Sequence, residues 1–345
     1  MAVASARRFW GLLRHMRRVE PLDRAALARL IASQPPPEAV GPHSNTPALC
    51  IEATAITPRH ARWLHALPCP VIAIGPATAA QSRGYDVIIA NSAALSPVLA
   101  GISHAPIAAM VLVQLLRTAH KLSLADALTM ESFAYATLQQ GPEFRRWQAQ
   151  APLLPPLTPP EPPLHGEYAG ETLALTLADP ASDNAIGTRM RDALCEAFDL
   201  ALATGAPVHL SAQGRSFSQG GSVAEFGQVA DPATAHWLRS LRLPATRLAR
   251  LAPRLSVHVQ GAAIGAGAEI AAFGSRVTAS PRAWFQLPEL RYGLIPGAGG
   301  TASITARIGR HRTAWMALTM ARVPSRTALA WGLVDAVTAA PTRPQ

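Results

Sequence analysis

The chain has 345 residues, 49% of them apolar and only 15% charged, with a formal net charge of +10. That composition supports a sizeable buried core and excludes a wholly disordered chain. No apolar run is long enough to span a bilayer, and no zinc-finger, RNP-type or aromatic-interleaved basic motif accompanies the charge, so neither a membrane span nor a nucleic-acid partner is expected.

The cations are almost all arginine, with Lys121 the one lysine. Cys50, Cys69 and Cys195 lie far apart with no C-x-x-C spacing, which suits a reducing compartment and predicts a cytoplasmic protein. The eleven histidines show no ligand spacing, so no metal site is predicted.

In chain order, the basic stretch ARRFWGLLRHMRR lacks the apolar core and cleavage site of a secretory signal. It reads as a solvated first helix, with a transit-like or surface-associated helix as the alternative. Two strands are expected at Pro70–Ile74 and Asp86–Ala90, each set among Gly, Pro and Asn. Pro106 is placed for the first position of a helix over IAAMVLVQLLR. Ser123 and Asp126 form a capping-box-like start for the next helix, which Gly141-Pro142 stops. Ala127, Met130, Ala134 and Leu138 recur along it at helical spacing and predict its packed face.

The run from Ala151 to Gly166 is too rich in proline for a helix or a central strand and reads as a semi-rigid spacer. It divides the chain into an N-terminal extension (1–150), a linker (151–166) and a C-terminal core (167–345). In the core, ETLALTLA alternates as a strand and RMRDALCEAFDLALATG reads as a helix ended by Gly205. APVHLSA, RLSVHVQG and RVTAS read as further strands, and GAEIAAFG as a short helix after a glycine-rich turn. Strands and helices alternating at such intervals predict an α/β fold.

Two glycine-bearing turns stand out, FSQGGSVAEF (217–226) and GAAIGAGAEIAAFG (261–274), followed by FQLPELRYGLIPGAGGTASI (285–304). Gly265 and Gly267 suggest a dinucleotide fingerprint, but Ile270 stands where its third glycine belongs and no acid ends a following strand at the right interval. No G-x-S-x-G elbow is present either.

These segments closely resemble the enoyl-CoA hydratase/isomerase (crotonase) family. QGAAIGAGAEIA is similar to its N-G-x-A-x-G-G/A-G-x-E-L-A turn, and PELRYGLIPGAGGT to its P-E-x-x-x-G-x-I/V-P-G-x-G-G-T segment. The first glycine loop resembles F-x-A-G-A/G-D, and DNAIGTRM an early N-A-L/I segment. The resemblance covers about 165 residues and implies a crotonase-like ββα spiral core, preceded here by a helix-rich α/β extension.

It also implies a chemistry. Reaction at the α and β carbons of an acyl-CoA passes through a thioester enolate, which needs two donors aimed at the carbonyl oxygen. The resemblance assigns these to the N–H groups of Gly221 and Ala266, the latter opening a helix. It makes Glu269 and Glu289 the acid and base, with Asn184, Ala185, Arg215, Phe217, Gly265, Pro296 and Gly297 binding substrate. Two glutamates flanking one water favour an enoyl-CoA hydratase. An isomerase or acyl-CoA hydrolase using one glutamate is the alternative, and a silent scaffold the alternative of another class. The substrate supplies coenzyme A, its phosphates suited to a basic chain, so no separate cofactor is expected. The family's habit implies a homotrimer or hexamer.

Two positions depart from the family pattern. Ser222 replaces the Asp after the first oxyanion residue, and Asp179-Pro180 replaces a basic residue before proline. The family's C-terminal helices are expected after WGLVDAV, where this sequence stops. DVIIANSAALSPVLAGISHAPIAAMVLVQLLR and SLADALTMESFAYATLQQGPEFRRW, in the first half, resemble that tail and suggest that it is displaced or duplicated ahead of the core.

Overall fold

The computed structural model describes residues 21–151, 162–229 and 231–338. The basic N-terminal stretch and residues 152–161 of the proline-rich run lie outside these. Strands β1 (Leu49–Glu52), β2 (Val71–Ile74) and β3 (Val87–Ile89) form a parallel sheet in that order, with α1 (Arg24–Ala32) before it. Helices α2 (Pro58–Ala66) and α3 (Ala79–Ser82) make the crossovers. The two-residue period of a strand sorts the side chains between two cores. Leu49, Ile51, Val71 and Ala73 pack with Leu27, Leu64 and Tyr85, whereas Cys50, Ile72, Val87 and Ile89 join the main core.

Four helices follow: α4 (Leu95–His104), α5 (Pro106–Ala119), α6 (Leu124–Leu138) and α7 (Pro142–Gln150). Pro106 opens α5, and Ser123 caps α6, its Oγ accepting from Asp126 N at 3.2 Å. Among the described residues no single helix is long and apolar enough to cross a membrane. The buried face of α6 is rotated from the predicted one. Ala127 and Leu138 are buried as expected, but Leu128, Glu131, Ser132 and Ala136 join them, while Met130 and Ala134 are half-buried.

The second half winds as a spiral. The hairpin β4 (Leu164–Ala169) and β5 (Thr172–Leu177) is followed by α8 (Thr188–Thr204) and β6 (Val208–Ala212). The structure thus begins a strand inside the predicted spacer, at Leu164. Two helices absent from the sequence reading, α9 (Pro232–Arg242) and α10 (Pro244–Leu251), lead to β7 (Leu255–Val259). The chain then alternates between two sheets: β8 (Ala262–Ile264), α11 (Ala266–Ala271), β9 (Arg276–Ala279) and β10 (Trp284–Gln286). It finishes with α12 (Gly300–Thr319), β11 (Val323–Pro324), α13 (Ser325–Trp331) and β12 (Ala336–Val337). The larger sheet has the order β12-β9-β7-β6-β5-β4, parallel except for the β4–β5 pair; the smaller is β11-β10-β8. Leu173, Leu175 and Leu177 of β5 point inward while the intervening residues stay partly exposed, which explains the alternation in ETLALTLA.

The main core runs through both halves. Helix α12 packs against α4 and α5, and Gly101 of α4 passes so close to the Leu318 carbonyl that a Cβ would not fit. A buried ion pair ties the first sheet to this layer. Arg117 Nε and Nη2 donate to the two Asp86 oxygens at 2.9 and 2.6 Å, and its remaining donors reach the carbonyls of Leu67 and Cys69. Arg310 of α12 approaches the same carboxylate at 3.6 Å. With the guanidinium donors all engaged and the carboxylate also accepting from Val71 N at 2.8 Å, the charges are compensated in a site where an unpaired one would be severely destabilising.

Candidate functional site

The loop Ser218–Ser222 is hung between two neighbours. Ser218 N donates to Ala262 O and Ile264 N to Ser218 O, at 3.1 and 2.9 Å, while Ile186 N donates to Gly220 O and Ser222 N to Ile186 O, at 2.8 and 3.3 Å. This ladder skips the Gly221 N–H. Ala266 is the first residue of α11, so its N–H has no intrahelical acceptor either. The two turns touch: a Cβ placed on Gly220 would lie 3.5 Å from Ala266 N. Gly265 makes the bend possible with φ 49° and ψ −122°, a conformation side-chain-bearing residues rarely adopt. Gly221, Ala266 and Gly265 all line one cleft of about 520 Å³.

Glu269 and Glu289 line the same cleft. Glu269 is almost fully buried, and its Oε2 accepts from Ala298 N and Gly300 N at 2.6 and 2.7 Å. Gly300 must be glycine here, since a Cβ would lie 2.8 Å from that oxygen. Burial, and then the charge of Glu131, push the Glu269 carboxyl up to about 8, against the pull of its two N–H donors. Glu289 sits in the turn Glu289–Tyr292, and its Oε2 is buried without a hydrogen-bond partner. Burial, followed by the charge of Glu269, raises its pKa well above the carboxylate range. Of the two, Glu269 has the donors that favour ionisation, so it gives up its proton first and Glu289 holds its own longer.

The walls are apolar and aromatic. Ile186, Val223, Leu238, Ile270 and Leu294 face the cleft, with Phe226 and Tyr292 packed edge-on at 5.6 Å. Trp147 of α7 meets Tyr292 at 5.1 Å and backs this wall from the first half of the chain. A second lobe of about 460 Å³ shares Gly221, Ser222 and Tyr292 and adds Ala185, Gln286 and Arg291.

Of the residues expected to bind substrate, Ala185, Gly265 and Gly297 therefore reach the cleft system. The others do not. Asn184 is fully buried, donating to the Gln213 and Ser216 carbonyls and accepting from Asp179 N, so it braces the loop rather than presenting an amide to a ligand. Phe217 is a core side chain, and Pro296 is buried off the cleft. Arg215 is largely exposed and forms a two-point pair with Asp183 at 2.9 and 2.8 Å. Among the described residues no group of three or more His, Cys, Asp or Glu could hold a metal ion.

Three site residues escaped the sequence reading. Tyr135 of α6 lies against Gly297 at the cleft wall, Arg239 of α9 stacks 4.5 Å from the Tyr135 ring centre, and Glu131 is buried behind them. The one sequence signal for Glu131 is its place in SLADALTMESFAYATLQQGPEFRRW, the segment that resembles the family's tail.

The enoyl-CoA hydratase/isomerase family model matches residues 168–342. Among curated proteins, the chain is 31% identical over 162 residues to the 2,3-dehydroadipyl-CoA hydratase of Escherichia coli, covering 46% of this chain and 62% of that one. It is also 31% identical over 158 residues to a Rhizobium meliloti protein named "Probable enoyl-CoA hydratase", covering 45% and 60%. The chain thus spans about three fifths of the length of these relatives. Among solved structures, enoyl-CoA hydratase subunit I of Geobacillus kaustophilus superposes with a TM-score of 0.47 at 28% identity, covering 51% of this chain and 69% of that one. The family match extends over half of the chain and takes in both glycine turns and both glutamates, and the chain belongs to the enoyl-CoA hydratase/isomerase family.

Proposed function

We propose that the protein is an enoyl-CoA hydratase, adding water across the 2,3 double bond of an acyl-CoA thioester. The observation that carries this reading is the meeting of four groups in one cleft: two carboxyl groups, Glu269 and Glu289, and two N–H donors, Gly221 and Ala266. The thioester oxygen sits between the two N–H groups, which gain strength as it takes up negative charge. Glu269, the carboxyl that ionises first, draws a proton from water as the oxygen attacks the β carbon. Glu289, protonated longer, delivers its proton to the α carbon as the enolate collapses. One O–H bond of water and the C=C π bond break, one C–O and one C–H bond form, and a proton passing between the glutamates resets them. Nothing is oxidised or reduced, so the residues present suffice, and coenzyme A enters as part of the substrate.

The apolar walls suit an acyl chain, and Arg291 in the second lobe offers a cation to the anionic end of the thioester. We also propose cytoplasmic action as a homotrimer or hexamer, which light scattering on the intact chain would check. The deciding experiment is incubation of the purified protein with crotonyl-CoA and longer enoyl-CoAs, followed by mass spectrometry. A product heavier by one water supports hydration. Unchanged mass with a moved double bond would make the protein an isomerase, and released coenzyme A thiol a hydrolase. Unaltered substrates throughout would leave a binding scaffold.

A further inference from the structure

Four consecutive backbone N–H groups are divided between two carboxylates in strict alternation. Ala298 and Gly300 donate to Glu269, while Gly299 donates to Glu131 Oε1 at 2.8 Å and Thr301 to Glu131 Oε2 at 3.0 Å. The Thr301 hydroxyl adds a third bond to Glu131 at 2.6 Å. Glu131 lies 170 residues before Thr301, on α6 of the first half, with no exposed surface. The segment bends at Gly299, φ 101°, into the first turn of α12, whose N–H groups have no intrahelical acceptor, and the two glutamates divide the amides of this strip, Ala298–Thr301, between them. Neither set of bonds can be lost without rotating the amides that make the other.

We propose that Glu131 is a positioning residue for the reaction, supplied by the first half of the chain: it holds the strip that orients Glu269 and sets how readily Glu269 gives up its proton. The kinetic part of this rests on the hydratase reading; the mechanical part does not. The groups that face Glu131 agree with a charged state. Arg239 Nη2 of α9 stands 3.8 Å away, with Thr301 of α12 on the other side. Arg239 is itself steadied by Ser132 Oγ at 3.0 Å, which His236 also meets at 3.0 Å. Tyr135, on the same helix, and the carboxyls of Glu269 and Glu289 complete the surroundings. Burial raises the Glu131 pKa, but Arg239, the Thr301 hydroxyl and the two N–H donors oppose this, and of the three carboxyls it has the most partners. A negative charge fixed there opposes ionisation of Glu269. A residue that merely capped α12 would contribute to stability without reaching the proton balance of the site.

The test uses the full chain with Glu131→Gln, which keeps the size and removes the charge and one acceptor. Amide hydrogen exchange in peptides covering 297–302 should accelerate by about tenfold or more, including at Ala298 and Gly300, which Glu131 does not touch. With an enoyl-CoA substrate, kcat should fall about tenfold or more with a much smaller change in KM, the loss expected when positioning rather than binding is damaged. The acid limb of the pH–rate profile should move to lower pH by roughly one unit as the opposing charge disappears. Glu131→Asp, shorter but charged, should leave that limb in place while still loosening the strip, and it serves as the second variant if the Gln variant does not fold. Unchanged exchange at Ala298 and Gly300, or an acid limb unmoved in a folded Gln variant, overturns the proposal. If the wild-type protein turns over no enoyl-CoA, the hydratase reading falls alone and the exchange result still decides whether Glu131 positions Glu269.

Discussion

The backbone of Glu143 lies directly against Gly293, so closely that a Cβ on the glycine would sit 2.6 Å from the Glu143 Cβ and 2.7 Å from Phe144 N. Gly293 also has φ 69°, a value costly for any other residue. Meanwhile the Glu143 carboxylate accepts from Ile107 N and Ala108 N at 2.8 and 2.9 Å and so caps α5. Gly293→Ala should therefore lower the melting temperature by roughly 5 °C or more, from a cost of about 2 kcal/mol or above. An unaltered thermal denaturation curve would mean that α7 is not docked beside the Glu289 turn.

The first half covers apolar surface that the core cannot leave in water. Helix α12 packs on α4, α5 and α6, so without them part of its buried face, including Leu318 against Gly101, faces solvent. Expression of residues 166–345 alone should give aggregated or inactive protein, and adding residues 21–151 as a separate chain should recover solubility if docking is autonomous. A monodisperse, fully active 166–345 fragment, measured by gel filtration and turnover, would exclude this role for the first half.

Replacing either acid group in the cleft should cost rate rather than affinity. Glu269→Gln and Glu289→Gln should each reduce kcat by about 10²–10⁴-fold, the usual worth of a positioned acid or base. Acyl-CoA affinity, read by calorimetry, should shift far less. Wild-type hydration rates in both variants would remove these residues from the mechanism.

Burial of Glu269 also makes stability depend on pH, and the sign is fixed. Its pKa rises from 4.5 in an open chain to about 8 in the fold, so between those values the folded state holds a proton that the unfolded chain has released. The stabilisation is complete below about pH 4.5 and is lost as the pH rises through 8. The melting temperature of the wild type should fall more between about pH 6 and pH 9 than that of Glu269→Gln, a comparison in which the titrating groups remote from Glu269 cancel. Parallel curves would place the Glu269 carboxyl in contact with water.

Much of this was legible in the sequence because local rules settled it. The prolines, serine cap and glycine stop that bound α5 and α6 are read from neighbours a few residues apart, and so are the alternating strand β5 and the glycine turns at 220 and 265. What stayed hidden depends on distant partners. Glu131 reads as a surface acid on a helix until Gly299 and Thr301 are brought to it. Asn184 reads as a ligand contact until the Gln213 and Ser216 carbonyls claim its amide. The face of α6 was misjudged for the same reason, since apolar periodicity counts Met130 and Ala134 and overlooks a buried polar pair such as Glu131 and Ser132. Strand β1 was missed because four residues, Leu49–Glu52, give too short a pattern to separate from a loop.

The ring of His311 meets the carbonyl of Ser82 at 2.9 Å across a sequence separation of 229 residues, and Arg310 reaches Ser82 and Arg83 beside it. Contacts of such length must wait for the ribosome. Helices α4 to α7 emerge well before α12, with the apolar faces that later receive it still uncovered, and most of the second half must be made before α12 arrives to cover them. Loop closure over that distance is slow, and during synthesis the early half is the part that chaperones or premature association would encounter. The arrangement that lets the first half wall the cleft therefore also makes the maturation of this protein a matter of timing, with the cleft complete only after α12 has been translated.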